Sequence, residues 1–504
     1  MERLRRKELF ESDHLSQNLA QKSVRGGVTT MTAQGIQVAL QIAGTVILAR
    51  LLTPKDYGLI GMVTVVVGFA EMFKDAGLSM ATVQKERITH EQISTLFWLN
   101  VLISAALGLC VLAGSPLLAW FYGKPELTAV TAVLSFSFII SGLMIQHQAL
   151  QRRHMRFGTL VGIQIASQVV TLLVTIILAC LGWRYWALVG GMLASALAGT
   201  LLTFLFCPWI PGPMRKGTGV RNMLKFGGHV TGFNFVNYFA RNADNILIGK
   251  FIGPEALGIY ARAYQLLMLP ITMMSGPLSN VAVPALCRLK EDRERLHRYY
   301  LHILYMLSLL AGPIVGIAFL ASKDIVIILL GPTWAPVGDV FKYLTIGGLL
   351  QPLYNTQAWL HLAVGRADRV LIWGLIGTPI IVGSFLVGLI WGINGVAFCY
   401  SMAIIVTTIG SLSYAGQSAG LSSWKMLSVV FRPILSCVAA VFAIAMLNSY
   451  IQDQSHVAAL IARSSGFVTL YAAFLFLMYN GIQPIRDLMA IGQMVTARTA
   501  EGQA

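Results

Sequence analysis

Apolar stretches of about 20 residues recur along the chain, each closed by Pro, Gly or charged residues. A helix rises about 1.5 Å per residue, so about 20 apolar residues cross a hydrocarbon layer, and each stretch predicts one spanning helix. The breaks place spans at 26–52, 57–82, 92–114, 127–147, 158–181, 186–206, 226–250, 256–281, 300–321, 337–362, 370–391, 395–416, 426–448 and 460–480. The runs are continuous rather than alternating, which excludes an outer-membrane barrel. No connecting segment is long enough to enclose a core of its own. The predicted fold class is an all-α integral membrane protein of about 14 transmembrane helices.

The loops orient this layout. An even number of spans puts both termini on one side, and the loops and tails on that side carry 25 Lys and Arg. The opposite side carries only 6, namely Lys55, Lys124, Arg184, Lys250, Lys323 and Arg463. The bias predicts that both termini are cytoplasmic. Residues 1–22 are polar, with no apolar segment beside the basic start, so they read as a cytoplasmic tail rather than a signal peptide. Composition agrees: 56% of residues are hydrophobic and 12% charged, about half the charged share of a soluble domain. The net charge of +16 could suggest nucleic acid in a soluble protein; here its carriers sit in short loops between spans, so no nucleic-acid partner is expected. The six cysteines form no CxxC pair and mostly lie in apolar runs, so they read as small buried hydrophobes.

The sequence also repeats itself. Segment 47–60 (ILARLLTPKDYGLI) matches 247–260 (LIGKFIGPEALGIY), aligning Pro54 with Pro254, Gly58 with Gly258 and Arg50 with Lys250. Further on, WFYGKPEL (120–127) faces ILLGPTWA (328–335), and Trp183 faces Trp391. Six spans separate equivalent points, so the halves run with the same polarity, as in parallel-repeat transporters. The expected organisation is a tail (1–25), a first six-helix lobe (26–210), a linker (211–225), a second six-helix lobe (226–416), two further helices (426–480) and a second tail (481–504). The two lobes are expected to be pseudo-symmetric bundles with the transport path between them.

Polar side chains inside spans are costly and mark cavities or functional contacts. Span 1 carries Gln34, Gln37 and Gln41 on one helix face; their repeat partners in span 7 are Asn234, Asn237 and Arg241. Two pseudo-equivalent helices thus present polar stripes, which predicts a hydrophilic central cavity; hydrogen bonding between helices is the plainer alternative. Span 8 adds Arg262 and Gln265, and span 2 adds Glu71, Lys74 and Asp75 near its cytoplasmic end. Arg50, Arg241, Lys250 and Arg262 all fall in the outer half, against a single clear acid, Asp244. A net cationic cavity suits an anionic substrate, because guanidinium groups grip phosphate oxygens in pairs. For Arg50 and Lys250, snorkelling to the headgroups explains the charge equally well. Asp244 and Glu71, with Lys74 and Asp75 beside the latter, are candidates for H+ or Na+ coupling.

No Walker A loop, HExxH, GxSxG or GxGxxG motif is present, and the histidines have no ligand-spaced neighbours. Neither a cofactor nor a metal is expected, and any transport would draw on an ion gradient or on consumption of the product.

The stretches SVRGG (23–27), ILARLLTPKDYGLIGMVTVVVGFAEMFKDAGLSMATVQK (47–85), FWLNVLIS (97–104), FYGKPEL (121–127) and ALQRRHMRF (149–157) resemble Wzx-type polysaccharide flippases, most of all the colanic-acid exporter branch. The resemblance is close in the first half and looser beyond it. It implies the multidrug/oligosaccharidyl-lipid/polysaccharide transporter fold, with spans 1, 2, 7 and 8 lining a central cavity. It further implies an undecaprenyl-diphosphate-linked oligosaccharide as substrate, carried across the bacterial inner membrane by a monomer that serves polymerase and chain-length partners. The diphosphate-binding role then falls on Arg241 and Arg262, with Arg50 and Lys250 less directly. The rivals are a cation-coupled drug exporter or lipid II flippase of the same superfamily and, in another class, a membrane polysaccharide polymerase. The polymerase reading suffers from the lack of a large outer loop.

Overall fold

The computed structural model describes residues 19–75, 77–85, 88–215, 238–239, 241–447, 455–484 and 486–487. The predicted positions Asn234 and Asn237 lie outside them. Among the described residues every regular element is a helix. They are α1 (Leu19–Leu51), α2 (Pro54–Lys74), α3 (Leu78–Gln84), α4 (His90–Tyr122), α5 (Glu126–Arg153), α6 (Phe157–Cys180) and α7 (Tyr185–Phe206). There follow α8 (241–251), α9 (Pro254–Arg288), α10 (Arg293–Leu320), α11 (Ser322–Leu330), α12 (Ala335–Gly348) and α13 (Gln351–Ala363). The last four are α14 (Ala367–Gly388), α15 (Gly392–Ala419), α16 (Ser423–Met446) and α17 (His456–Tyr479).

Among the described residues, eleven segments are long and apolar enough to cross a membrane. One of them, Ala367–Ala419, is a hairpin holding both α14 and α15. The span predicted at 337–362 is divided into α12 and α13, each too short to cross alone. Pro352, in the first turn of α13, cannot continue a helix, and Gly347 and Gly348 are pressed against Ser401 and Leu267. With these and α8, the described helices account for the 14 transmembrane spans that the hydropathy predicts.

The chain forms two compact units, Met1–Leu257 and Gly258–Ala504. In the first, the TPKD sequence starts α2: Thr53 Oγ1 accepts from the Asp56 amide at 3.4 Å, and Asp56 Oδ2 accepts from the Thr53 amide at 2.9 Å. Pro54 occupies the first turn, where its missing N–H is not needed. One turn on, Gly58 lies against the backbone of Pro254, and any Cβ there would overlap its carbonyl. Gly58→Val is therefore expected to lower the folded yield sharply, with a drop of at least 2 kcal/mol of stability, roughly the upper range of an overpacked core; unchanged melting in detergent would contradict this close approach.

Residues 207–215, within and before the predicted linker, strap across the ends of α4 and α5. Trp209 Nε1 donates to His90 Nδ1 (3.1 Å), the Trp209 carbonyl meets His147 Nε2 (3.1 Å), and Trp98 Nε1 donates to the Gly212 carbonyl (2.9 Å). Arg215 pairs with Glu91. Nearby, buried Arg153 donates to the carbonyls of Thr82 and Lys85, satisfying the open end of α3.

In the second unit, Tyr300, Leu304, Leu353, Leu360, Leu412 and Met426 form a buried core joining α10, α13, α15 and α16. A small-residue stripe, Gly312 and Gly316 on α10, lies beneath Tyr471 and Phe467 of α17. At the other end of α17, Asp324 of α11 accepts from His456 Nδ1 (2.9 Å) and from Arg463.

Local geometry repeats with the sequence. Gly123 and Gly331, aligned in the two halves, both close a helix at positive φ (65° and 97°). Trp183 and Trp391 are both exposed, as residues of an interfacial aromatic belt are. One expectation is corrected: Cys207 and Cys437 are buried, but Cys110, Cys180 and Cys287 are exposed. In a membrane span an apolar run includes the face turned to lipid, so apolar context does not imply burial in protein.

Candidate functional site

The polar face of α1 is partly used in packing. Gln37 is half-buried, donates from Nε2 to Gln164 Oε1 of α6 (3.3 Å) and accepts on its carbonyl from Gln168 Nε2 (3.1 Å). Gln34 and Gln41, one turn to either side, are exposed. Gln37 thus bonds between helices, while Gln34 and Gln41 are exposed. Gln164 and Gln168, one turn apart, went unnoticed in the sequence; two amides at that spacing in an apolar span were the available signal.

On α8, Arg241 is exposed, whereas Asp244, on the next turn, is buried and accepts the amide of Asn245 at 2.8 Å. The start of this span is pinned to α2 by Tyr238, whose hydroxyl donates to the Val65 carbonyl (2.8 Å) beside Gly68. Phe69 packs against Tyr238 and Phe239 with ring centroids 5.9 and 4.7 Å apart. Tyr238 and Phe239 are thus held against α2, and Arg241 just beyond them is exposed. Lys250, at the far end, donates to the Phe121 carbonyl and lies over the Phe121 ring, 4.9 Å from its centroid. Its ammonium is thereby engaged at the helix end, in keeping with snorkelling. Arg50, its repeat partner, is exposed at the end of α1.

The three charges of α2 separate in role. Glu71 is exposed and pairs with Lys74 at 3.4 Å; Lys74 is nearly buried and also donates to Ser141 Oγ of α5 (2.9 Å). Asp75 accepts from the Ser79 amide (2.8 Å) and hydroxyl, capping α3. Among the described residues no group of three His, Cys, Asp or Glu side chains is placed to hold a metal ion.

In the second unit, Arg262 is half-buried on α9 and donates to Gln265 Oε1 one turn later. On the same helix Tyr260 stacks on Tyr264 (6.3 Å), which meets Tyr400 edge-on (6.1 Å), and Tyr400 donates to Gln351 Oε1 (3.4 Å). This chain of three tyrosines and Gln351, which ties α9 to α13 and α15, has no signature in the sequence, because aromatic residues in a span carry no signal separating cavity from core.

The first unit therefore carries Arg50, Arg241 and Lys250, and the second carries Arg262. The pattern of a family described as "Polysaccharide biosynthesis protein" matches residues 47–339, more than half of the chain. The chain belongs to this family. The teichuronic acid biosynthesis protein TuaB of Bacillus subtilis (strain 168) is 29% identical over 60% of the chain and 64% of TuaB, so the match spans a little under two thirds of that relative. The lipopolysaccharide biosynthesis protein WzxC of Escherichia coli (strain K12) is 24% identical over 79% of the chain and 81% of WzxC, in line with the Wzx-type resemblance. Among solved structures, lipid II flippase MurJ in an inward closed conformation superposes with a TM-score of 0.71 at 15% identity, covering 92% of this chain and all of that one. At that identity the likeness speaks for the fold, which is that of the multidrug/oligosaccharidyl-lipid/polysaccharide transporters. This member of the polysaccharide biosynthesis family is a multi-pass membrane protein with a transporter fold.

Proposed function

We propose that the protein moves undecaprenyl-diphosphate-linked oligosaccharide repeat units from the cytoplasmic to the periplasmic leaflet of the bacterial inner membrane, for exopolysaccharide or O-antigen assembly. The observation that carries the reading is the charge of the span residues: Arg50, Arg241, Lys250 and Arg262 against Asp244 in the outer half. A diphosphate has the opposite sign and the oxygen geometry that guanidinium groups bind. A drug exporter for organic cations would call for the reverse balance.

In this reading Arg241 and Arg262 hold the diphosphate, and Gln34, Gln41 and Gln265 line its path with hydrogen-bonding groups. The protein alternates between inward- and outward-open states with both termini cytoplasmic. Asp244, a buried carboxylate one turn from Arg241, is the stronger coupling candidate, because a proton or Na+ arriving there changes the charge beside the site. Glu71 is exposed and already paired with Lys74. The protein acts as a monomer and hands its cargo to a polymerase and a chain-length partner.

Deleting the gene in its host tests the assignment. Complete lipid-linked repeats accumulate, by extraction and mass spectrometry, and surface polymer is lost. Accumulation of lipid II would move the assignment to peptidoglycan, and new sensitivity to cationic drugs without lipid-linked sugar would move it to drug export.

A further inference from the structure

Two arginines of the second unit share one groove that holds no acid paired with either of them among the described residues. Elsewhere at this end of the unit, Arg295 pairs with Asp292 at 3.0 Å and Arg366 with Asp368 at 3.2 Å. Arg298 and Arg432 form no ion pair among the described residues. Both line one groove of 510 Å³ between α10, α16 and the end of α17, with His302, Ser428 and Tyr479 as further polar walls. The nearby acid, Asp487, is occupied: it accepts from the Tyr305 hydroxyl (3.1 Å) and from Gln483 Nε2 (3.2 Å).

Depth along the helices defines the ligand further. Arg432 lies nine residues beyond the first residue of α16, about 13 Å along the axis. Its guanidinium is held over the Tyr479 ring, 5.4 Å from the centroid. Its neighbours Phe431 and, farther on, Val438 and Phe442 are exposed, as are Phe476 and Leu477 of α17. Such a surface faces hydrocarbon, so Arg432 sits at the level where headgroups meet acyl chains. A groove that is cationic and rich in donors, open beside lipid-facing apolar surface, fits a phosphate attached to hydrocarbon chains.

We propose that the groove between α10, α16 and the end of α17 binds the phosphate of an anionic phospholipid from the adjoining leaflet. Arg298 and Arg432 supply the two guanidinium groups, and Ser428 and Tyr479 supply hydroxyl donors. The site shares no residue with the proposed diphosphate-binding pair Arg241 and Arg262 and does not depend on what the protein carries.

Native mass spectrometry of the purified full-length protein tests this, with phosphatidylglycerol or phosphatidylcholine added to the detergent. The protein is expected to retain phosphatidylglycerol about tenfold more strongly, from two surface cations at the headgroup level. The Arg298→Gln/Arg432→Gln variant is expected to lose that preference while keeping its lipid-free melting temperature, and Arg298→Lys/Arg432→Lys to keep most of it. Equal retention by wild type and the Gln variant overturns the proposal. So does displacement of phosphatidylglycerol by millimolar inorganic phosphate, which would mark a free-anion site. Displacement by equimolar undecaprenyl phosphate would assign the groove to the transported lipid and overturns it as well.

Discussion

Replacing Arg241 and Arg262 together with Ala is expected to reduce export of the surface polymer by about two orders of magnitude while the protein stays at its normal level in the membrane. A charge-assisted hydrogen bond contributes about 1.5–3 kcal/mol, so each arginine is expected to account for at least about tenfold. Arg241 is exposed, and Arg262 is half-buried and bonds Gln265 on its own helix, so the membrane level of each variant is measured beside its export. Lys at both positions is expected to retain part of the activity, because it keeps the charge and loses the two-pronged geometry. Unchanged export by the double Ala variant, at equal expression, would remove the diphosphate site from these residues.

The largest expected loss of stability lies elsewhere. Asp324 is 5% exposed and holds both His456 and Arg463, tying α11 to α17. Asp324→Ala leaves the nearly buried Arg463 guanidinium without its counter-charge, which costs about 3–5 kcal/mol. The measurement is thermal unfolding of the detergent-solubilised protein, with a clearly lower midpoint expected. His456→Ala should be much milder, because that side chain is half in solvent and its ion pair is worth about 1 kcal/mol at most. Equal effects of the two substitutions would contradict the assignment of the larger loss to the uncompensated Arg463 charge.

Most of the helical layout was legible in the sequence, because one property, about 20 apolar residues between breaks, is imposed by the bilayer itself. The repeat was legible for a similar reason: Gly123 and Gly331, or Pro54 and Pro254, are residues whose backbone geometry few substitutes reproduce. The break within span 10 could have been read from Gly347-Gly348 and Pro352, but hydropathy averages over such punctuation. The site was less legible. A glutamine in a span reads the same whether it bonds a neighbouring helix, as Gln37 does, or stays open, as Gln34 and Gln41 do. Within the cluster Glu71, Lys74 and Asp75, the first two pair one turn apart and Lys74 also reaches Ser141, while Asp75 turns to the α3 cap, a division that spacing alone does not give. The acid-free pair Arg298 and Arg432 is 134 positions apart and only the packing of α10 against α16 brings it into one groove.

The claim that this transporter carries lipid-linked sugar outward is tested most directly by the side of the membrane on which that sugar appears. In spheroplasts of a strain with controllable expression, a membrane-impermeant probe of the oligosaccharide should label the lipid-linked repeats when the protein is present. On depletion the repeats should remain abundant in lipid extracts and become inaccessible to the probe. Equal labelling with and without the protein, at equal repeat levels, would contradict the account.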